Sequence, residues 1–178
     1  MGRAVALLRG INVGGNRKVP MADLRAVAEE LGLGHPRTYV ASGNLVFESG
    51  DPPSALEERL ERALHARFGF DVDVVARSAH DWASYAESNP FPEESRRAPN
   101  LVMLVIGKRP PDEEALEALR ARASAQEKVE RRDDALWIWF GNGAGRSKIG
   151  TGPSRGVWTS RNWRTVQKLE EMLCSPCP

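Results

Sequence analysis

Ten cations and no acid occupy two stretches of the chain, and chemistry is most readily argued from them. Residues 1–22 hold Arg3, Arg9, Arg17 and Lys18; residues 141–169 hold Arg146, Lys148, Arg155, Arg161, Arg164 and Lys168. The whole chain has 25 Lys and Arg against 24 Asp and Glu, a formal net charge of +1, so what remains is acidic. Segregation, not total charge, therefore points to an anion-binding face. A helix from about Arg161 to Leu173 would set Arg161, Arg164 and Lys168 within about 60° of one another, opposite Trp163, Val166, Leu169 and Leu173. Thr159, Ser160 or Asn162 suits the cap of that helix, and the Gly-rich run from Gly141 to Lys148 beside its free N–H groups is an arrangement that holds phosphate. The expected anion-binding set is Arg9, Asn12, Arg17, Lys18, Arg146, Ser147, Lys148, Arg161, Asn162, Arg164 and Lys168, the two basic segments converging on one face.

Other chemistries find less support. A P-loop needs Gly-Lys-Ser/Thr, whereas Gly145 is followed by Arg146-Ser147-Lys148, and the dinucleotide fingerprint lacks its last Gly. His35, His65 and His80 have no ligand spacing, so no metal is expected. Cys174 and Cys177 form a lone C-x-x-C at the end of the chain with neither a following helix nor further ligands, and read as a tail. No nucleophile motif appears, so no catalytic residue and no cofactor is assigned. Trp137 and Trp139 share one face of a strand and are expected in the core rather than stacked on bases.

The elements that must position these residues follow from periodicity. Ala4 to Leu8 is an apolar run typical of a strand buried on both faces, and Gly10, Gly14 and Gly15 mark the loop after it. Met21, Leu24, Val27 and Leu31 recur at helical spacing, with Gly32 as the stop. Strands at 37–41 and 45–48 flank a hairpin at Ser42-Gly43-Asn44. Ser54 and Glu57 have the spacing of a capping box before a helix carrying Leu56, Leu60, Leu64 and Phe68, and Val72 and Val74 alternate with acids as an edge strand does.

A helix near Asp81–Ser88 and a Pro-rich connection lead to a second doubly buried strand, Leu101 to Ile106. Asp112 can cap the next helix; a charged strand from Lys128 to Asp133 and an apolar one from Leu136 to Phe140 follow. The order is βαββαβ and then βαββα. The fold class expected is α+β, with two ferredoxin-like halves and antiparallel sheets, the second lacking a clear closing strand. The halves are expected at 1–78 and 79–178, the second packed on the first.

Four segments carry a resemblance: Leu7-Leu8-Arg9-Gly10-Ile11-Asn12-Val13-Gly14-Gly15, Tyr39 to Phe47, Gly145 to Lys148, and Thr159 to Trp163 with Lys168-Leu169. Taken jointly, they resemble the DUF1697 family over nearly the whole chain. The resemblance implies an α/β protein of about this size with duplicated ferredoxin-like halves, and brings no catalytic residues with it. Against that pattern the segment between Lys148 and Thr159 is short.

Two cysteines fit a reducing compartment, the cytoplasm by default, and no apolar run is long enough for a signal or a membrane span. The function expected is anion binding, with nucleic acid or a phosphorylated molecule as partner. An enzyme acting on a small phosphorylated or carboxylated substrate in a cleft between the halves, using Arg9, Asn12, Arg161 and Asn162 to bind, is the alternative; a structural or protein-partner module is another. Shape discriminates, because a convex basic stripe suits nucleic acid and a deep pocket suits a small ligand.

Overall fold

Ala4, Ala6 and Leu8 point to one side of β1 (Gly2–Leu8) and Val5 and Leu7 to the other, and all five are buried, so the strand is central and needs cover on both faces. In the computed structural model, which describes residues 2–141, 143–150 and 152–175, β1 lies between β3 (Asn44–Ser49) and β4 (Val74–Ser78), antiparallel to both. With β2 (Gly34–Tyr39) outside β3, the sheet order is β2-β3-β1-β4. Leu24, Val27 and Ala28 of α1 (Met21–Glu30) and Leu56, Leu60 and Leu64 of α2 (Pro53–Phe68) close over the face formed by Ala4, Ala6, Leu8, Leu45, Phe47, Val74 and Ala76. α3 (Ala79–Glu87) follows β4.

The expected hairpin is present. Asn44 Nδ2 donates to the Tyr39 carbonyl at 2.8 Å, and Gly43, at φ +84°, lies so close to Leu8 and Ile11 that a Cβ there would come within 2.8 Å of both. Only glycine suits both the left-handed backbone and the approach.

The capping box does not form. α2 begins at Pro53 with Pro52 before it and no side-chain cap, because proline needs no donor satisfied at a first turn. Glu57 instead accepts from the Ala76 N–H at 2.9 Å, Glu61 from Val74 N–H at 2.8 Å, and Asp81 from Ser78 N–H at 3.2 Å. These are alternate donors of an edge strand. Three carboxylates thus bond N–H groups that point away from β1, which satisfies the backbone and closes the edge to pairing with other chains.

The second sheet has the same order, β6-β7-β5-β8. β5 (Val102–Gly107) is its doubly buried strand, β6 (Glu127–Arg132) the charged one and β7 (Ala135–Phe140) buried throughout. α4 (Pro92–Arg97) is a short helix within the Pro-rich connection, and α5 (Glu113–Arg120) is capped as expected, Asp112 accepting from Ala115 N–H at 2.7 Å. The closing strand that the sequence did not reveal exists: β8 (Trp158–Asn162) pairs antiparallel with β5. Its sequence, Trp-Thr-Ser-Arg-Asn, lacks apolar alternation. Trp137 is fully buried, its ring 5.8 Å from that of Trp163, and Trp139 is 6% exposed, so both are core residues.

β7 and β8 are both antiparallel to β5, so the chain between them must run the length of the sheet. In the first sheet α2 makes that crossing. Here residues 141–157 make it, with one 3-10 turn, Ala144–Arg146, among the described residues, and bury Ile149 with Val105, Leu116, Leu136 and Trp158. Glycines at 141, 143, 145, 150, 152 and 156 make a helix unfavourable.

The chain divides into two compact units, Met1–Ala83 with Leu169–Pro178, and Ser84–Lys168. The boundary expected at 78/79 thus falls a few residues later, and the end of the chain returns to the first unit. α6 (Trp163–Cys174) spans the second boundary. Arg3 explains the return: its guanidinium donates to the carbonyls of Leu173 at 2.7 Å and Ser175 at 2.6 Å, while Arg37 donates to that of Met172. Carbonyls left open at the helix end thereby gain cationic donors. Cys174 is an exposed free thiol, and Cys177 lies outside the described residues.

Glu57→Ala should lower the unfolding free energy by about 1–3 kcal/mol in urea denaturation, by stranding the buried Ala76 N–H; Glu57→Gln, which keeps an acceptor, should cost less. Equal losses for both variants would show that the Ala76 bond does not seal this edge.

A candidate anion-binding groove in the second unit

Where β5 ends, Gly107 gives way to Lys108-Arg109-Pro110-Pro111 and then Asp112, so two cations leave the end of a buried strand just ahead of a capped helix. The far wall is the end of the crossing segment, Pro153 to Trp158. Lys108 N–H donates to the Val157 carbonyl at 3.2 Å, and the Trp158 indole N–H to that of Arg155 at 2.6 Å, fixing this wall to β5. The indole rests on Gly107, where a Cβ would meet Trp158 Cε3 at 2.7 Å, so a side chain there would unseat it.

Between the walls lies an open groove of about 540 Å³, in the size range of small-ligand sites. Its near wall is the side of α5 that carries Ala115 and Ala118, while Leu116 and Leu119 face the core. Lys108, Arg109, Arg122 and Arg155 line it with Asp112 and Glu114. Among the described residues neither Arg109 nor Arg155 is ion-paired, and Arg122 donates from Nε to the Ala118 carbonyl at 2.9 Å. The Asp112 carboxylate already occupies the helix cap, so the positive charge of the groove comes from its side chains rather than from the helix end.

Only Arg155 of these cations lies in the basic stretches singled out in the sequence, and it was not in the expected set. The signal that would have found this side of the groove is local: Lys108 and Arg109 follow directly on an apolar strand and precede a helix cap.

Several of the expected residues make contacts within the fold. Asn12 donates to the Val19 carbonyl at 3.0 Å and the Ala41 carbonyl at 2.7 Å and accepts from Val19 N–H at 2.9 Å, tying the 9–19 loop to the hairpin. Arg9 pairs with Asp73 at 3.1 Å, and Arg17 donates to the Asp71 carbonyl with its guanidinium 5.5 Å from the centre of the Phe70 ring. Lys18 is exposed. These groups shape the first unit's loop, whereas Arg146, Ser147, Lys148, Arg161, Asn162, Arg164 and Lys168 belong to the second unit.

Arg161 is not on the helix. It lies in β8, 8% exposed, donating to Thr159 Oγ1 and to the Ser160 carbonyl, both at 2.8 Å. Burial lowers its pKa to about 10, which still leaves it charged at neutral pH. Asn162 does cap α6, accepting from Thr165 N–H at 3.0 Å, and so starts the helix two residues later than expected. Of the supposed stripe, Arg164 is exposed and Lys168 half-buried.

The Gly-rich run does not feed the start of α6. Burial disfavours the charge on Glu127 at the head of β6, yet bonds from the Ser124 N–H and the Ser147 and Ser124 hydroxyls hold its carboxyl below the usual range. Ser147 thus sits at the β6 edge, while α6 starts from β8 at the other, about 14 Å away at ordinary strand spacing. Arg146 and Lys148 are exposed on this connection, and Asn142 within it lies outside the described residues. No metal-binding group of three His, Cys, Asp or Glu occurs among the described residues, and none of their helices is long and apolar enough to cross a membrane.

Arg161→Ala should destabilise the fold by roughly 2 kcal/mol through lost buried hydrogen bonds and packing, whereas Arg164→Ala should stay within about 0.5 kcal/mol. Urea unfolding of the two variants decides between a structural Arg161 and a solvated one; matching curves would restore the solvated stripe.

Comparison with solved structures finds similarity to "conserved bacterial protein SP0830 from Streptococcus pneumoniae", 26% identical, with a TM-score of 0.77 over 97% of this chain and 98% of that one. Comparison with curated proteins gives no match. The model of the family described as "Protein of unknown function (DUF1697)" matches residues 1–137, which include both central strands, the 9–19 loop, the hairpin and the α5 wall of the groove, and the chain belongs to that family.

Proposed function

We propose that this protein binds a small phosphorylated ligand in the groove between α5 and the Pro153–Trp158 wall. The observation that carries the reading is the gathering of Lys108, Arg109, Arg122 and Arg155 around one concave space, with Arg109 and Arg155 unpaired by any acid among the described residues. A guanidinium with no internal partner retains its donors for phosphate oxygens, and its planar fork matches them two at a time. Concavity favours a small ligand over a nucleic-acid strand, which would need a longer basic track. The apolar surfaces of Pro110, Ala118 and Val157 suit an organic body attached to the phosphate. Two cysteines in the chain fit a reducing setting such as the cytoplasm.

Titration calorimetry with ribose 5-phosphate, inorganic phosphate and short single-stranded RNA tests this. Arg109→Ala and Arg155→Ala should each weaken binding of ribose 5-phosphate roughly tenfold or more, the scale of one charge-assisted hydrogen bond, while Arg146→Ala leaves it unchanged. RNA binding with a steep salt dependence that Arg146→Ala and Lys148→Ala flatten would instead support a nucleic-acid ligand on the exposed loop. No binding of any probe would overturn the anion reading.

A further inference from the structure

The groove is not uniformly basic. Glu114 is exposed in the first turn of α5 and lines the same space as four cations, yet among the described residues it accepts no hydrogen bond and joins no ion pair. The other acid of the groove, Asp112, is engaged with the Ala115 N–H. Glu114 and Arg122 are eight residues apart, Glu114 on the side of α5 that carries Ala118 and Arg122 just past the end of the helix, where it bonds the Ala118 carbonyl. Two turns of helix and the link beyond it set their Cα atoms about 12 Å apart. Short alanine side chains leave that side open along its length.

A carboxylate left without donors in such a place repels a bare phosphate. It accepts from hydroxyl groups, which approach it with no charge penalty. We infer, resting on the anion-binding reading above, that the ligand is a phosphorylated polyol, of the sugar-phosphate class, with its phosphate on the arginines and hydroxyl groups on the Glu114 carboxylate. The groove's volume of about 540 Å³ accommodates such a molecule and is far larger than a phosphate ion requires.

Glu114 makes the inference testable by sign. In calorimetry of the full chain with inorganic phosphate, pentyl phosphate and ribose 5-phosphate, the wild type should prefer ribose 5-phosphate to pentyl phosphate. Glu114→Ala should bind ribose 5-phosphate about tenfold more weakly, the loss of a charge-assisted hydrogen bond, while inorganic phosphate and pentyl phosphate bind as well as before or a few-fold more tightly because a repelling charge has gone. Tighter binding of all three by the variant, or equal wild-type binding of the two phosphate esters, would overturn the polyol inference and leave the anion groove standing. Failure of the wild type to bind any of the three would overturn both. Glu114 is exposed and makes no bond within the fold, so circular dichroism and the urea midpoint of the variant should match those of the parent closely enough for binding to be compared.

Discussion

A strand that is hydrogen-bonded on both sides and apolar on both faces must be enclosed, and this requirement governs both units. β1 and β5 each lie between two antiparallel neighbours, so the strands flanking each run parallel to one another. A crossing segment then has to traverse the sheet. In the first unit α2 does so and adds its leucines to the core. In the second a glycine-rich segment makes the same crossing, with Ile149 filling core space on the α5 side of the sheet. The strand order is shared; the means of crossing is not.

Charge in this protein is used first for closure. Glu57, Glu61 and Asp81 satisfy the outward donors of β4, and Arg3 and Arg37 receive the carbonyls at the end of α6. Arg9 and Arg17 are held against the 70–73 segment, and Arg161 is buried in β8. Each such contact removes a cation or an acid from the pool available to a ligand. A run of cations along the sequence therefore overstates the donors on offer, because carbonyls, a hydroxyl and the Asp73 carboxylate within the fold already engage several of them.

That is also why the sequence showed the fold better than the site. Ala4–Leu8 and Leu101–Ile106 announce central strands because burial on both faces leaves an unbroken apolar run, and Gly43 announces a hairpin because few other residues fit its backbone. Asp112 and Asn162 were legible as caps from residue type and position. β8 was not, since its buried Arg161 and Thr159 look polar in one dimension and only pairing with β5 makes them interior. The role of Glu57 was hidden for a related reason: its partner, Ala76, is nineteen residues away. The groove was hidden because Lys108 and Arg109 meet Arg155 only after the crossing segment has folded back over the sheet.

The two crossings bear directly on the groove. In the first unit α1 packs on α2, so two helices close on each other above the sheet. In the second, α5 faces an irregular chain of bends and positive-φ glycines, which lacks a helix's row of side chains to interdigitate with Ala115 and Ala118. What that chain supplies instead is the Trp158 ring seated on Gly107 and a wall, Pro153 to Trp158, that carries Arg155. Exchanging a helix for a glycine-rich crossing thus leaves a space beside α5 and puts a cation on its rim. The glycines that disfavour a helix in this crossing also allow the close packing of the wall, since a Cβ at Gly152 or Gly156 would come within 3.3 Å of Trp158.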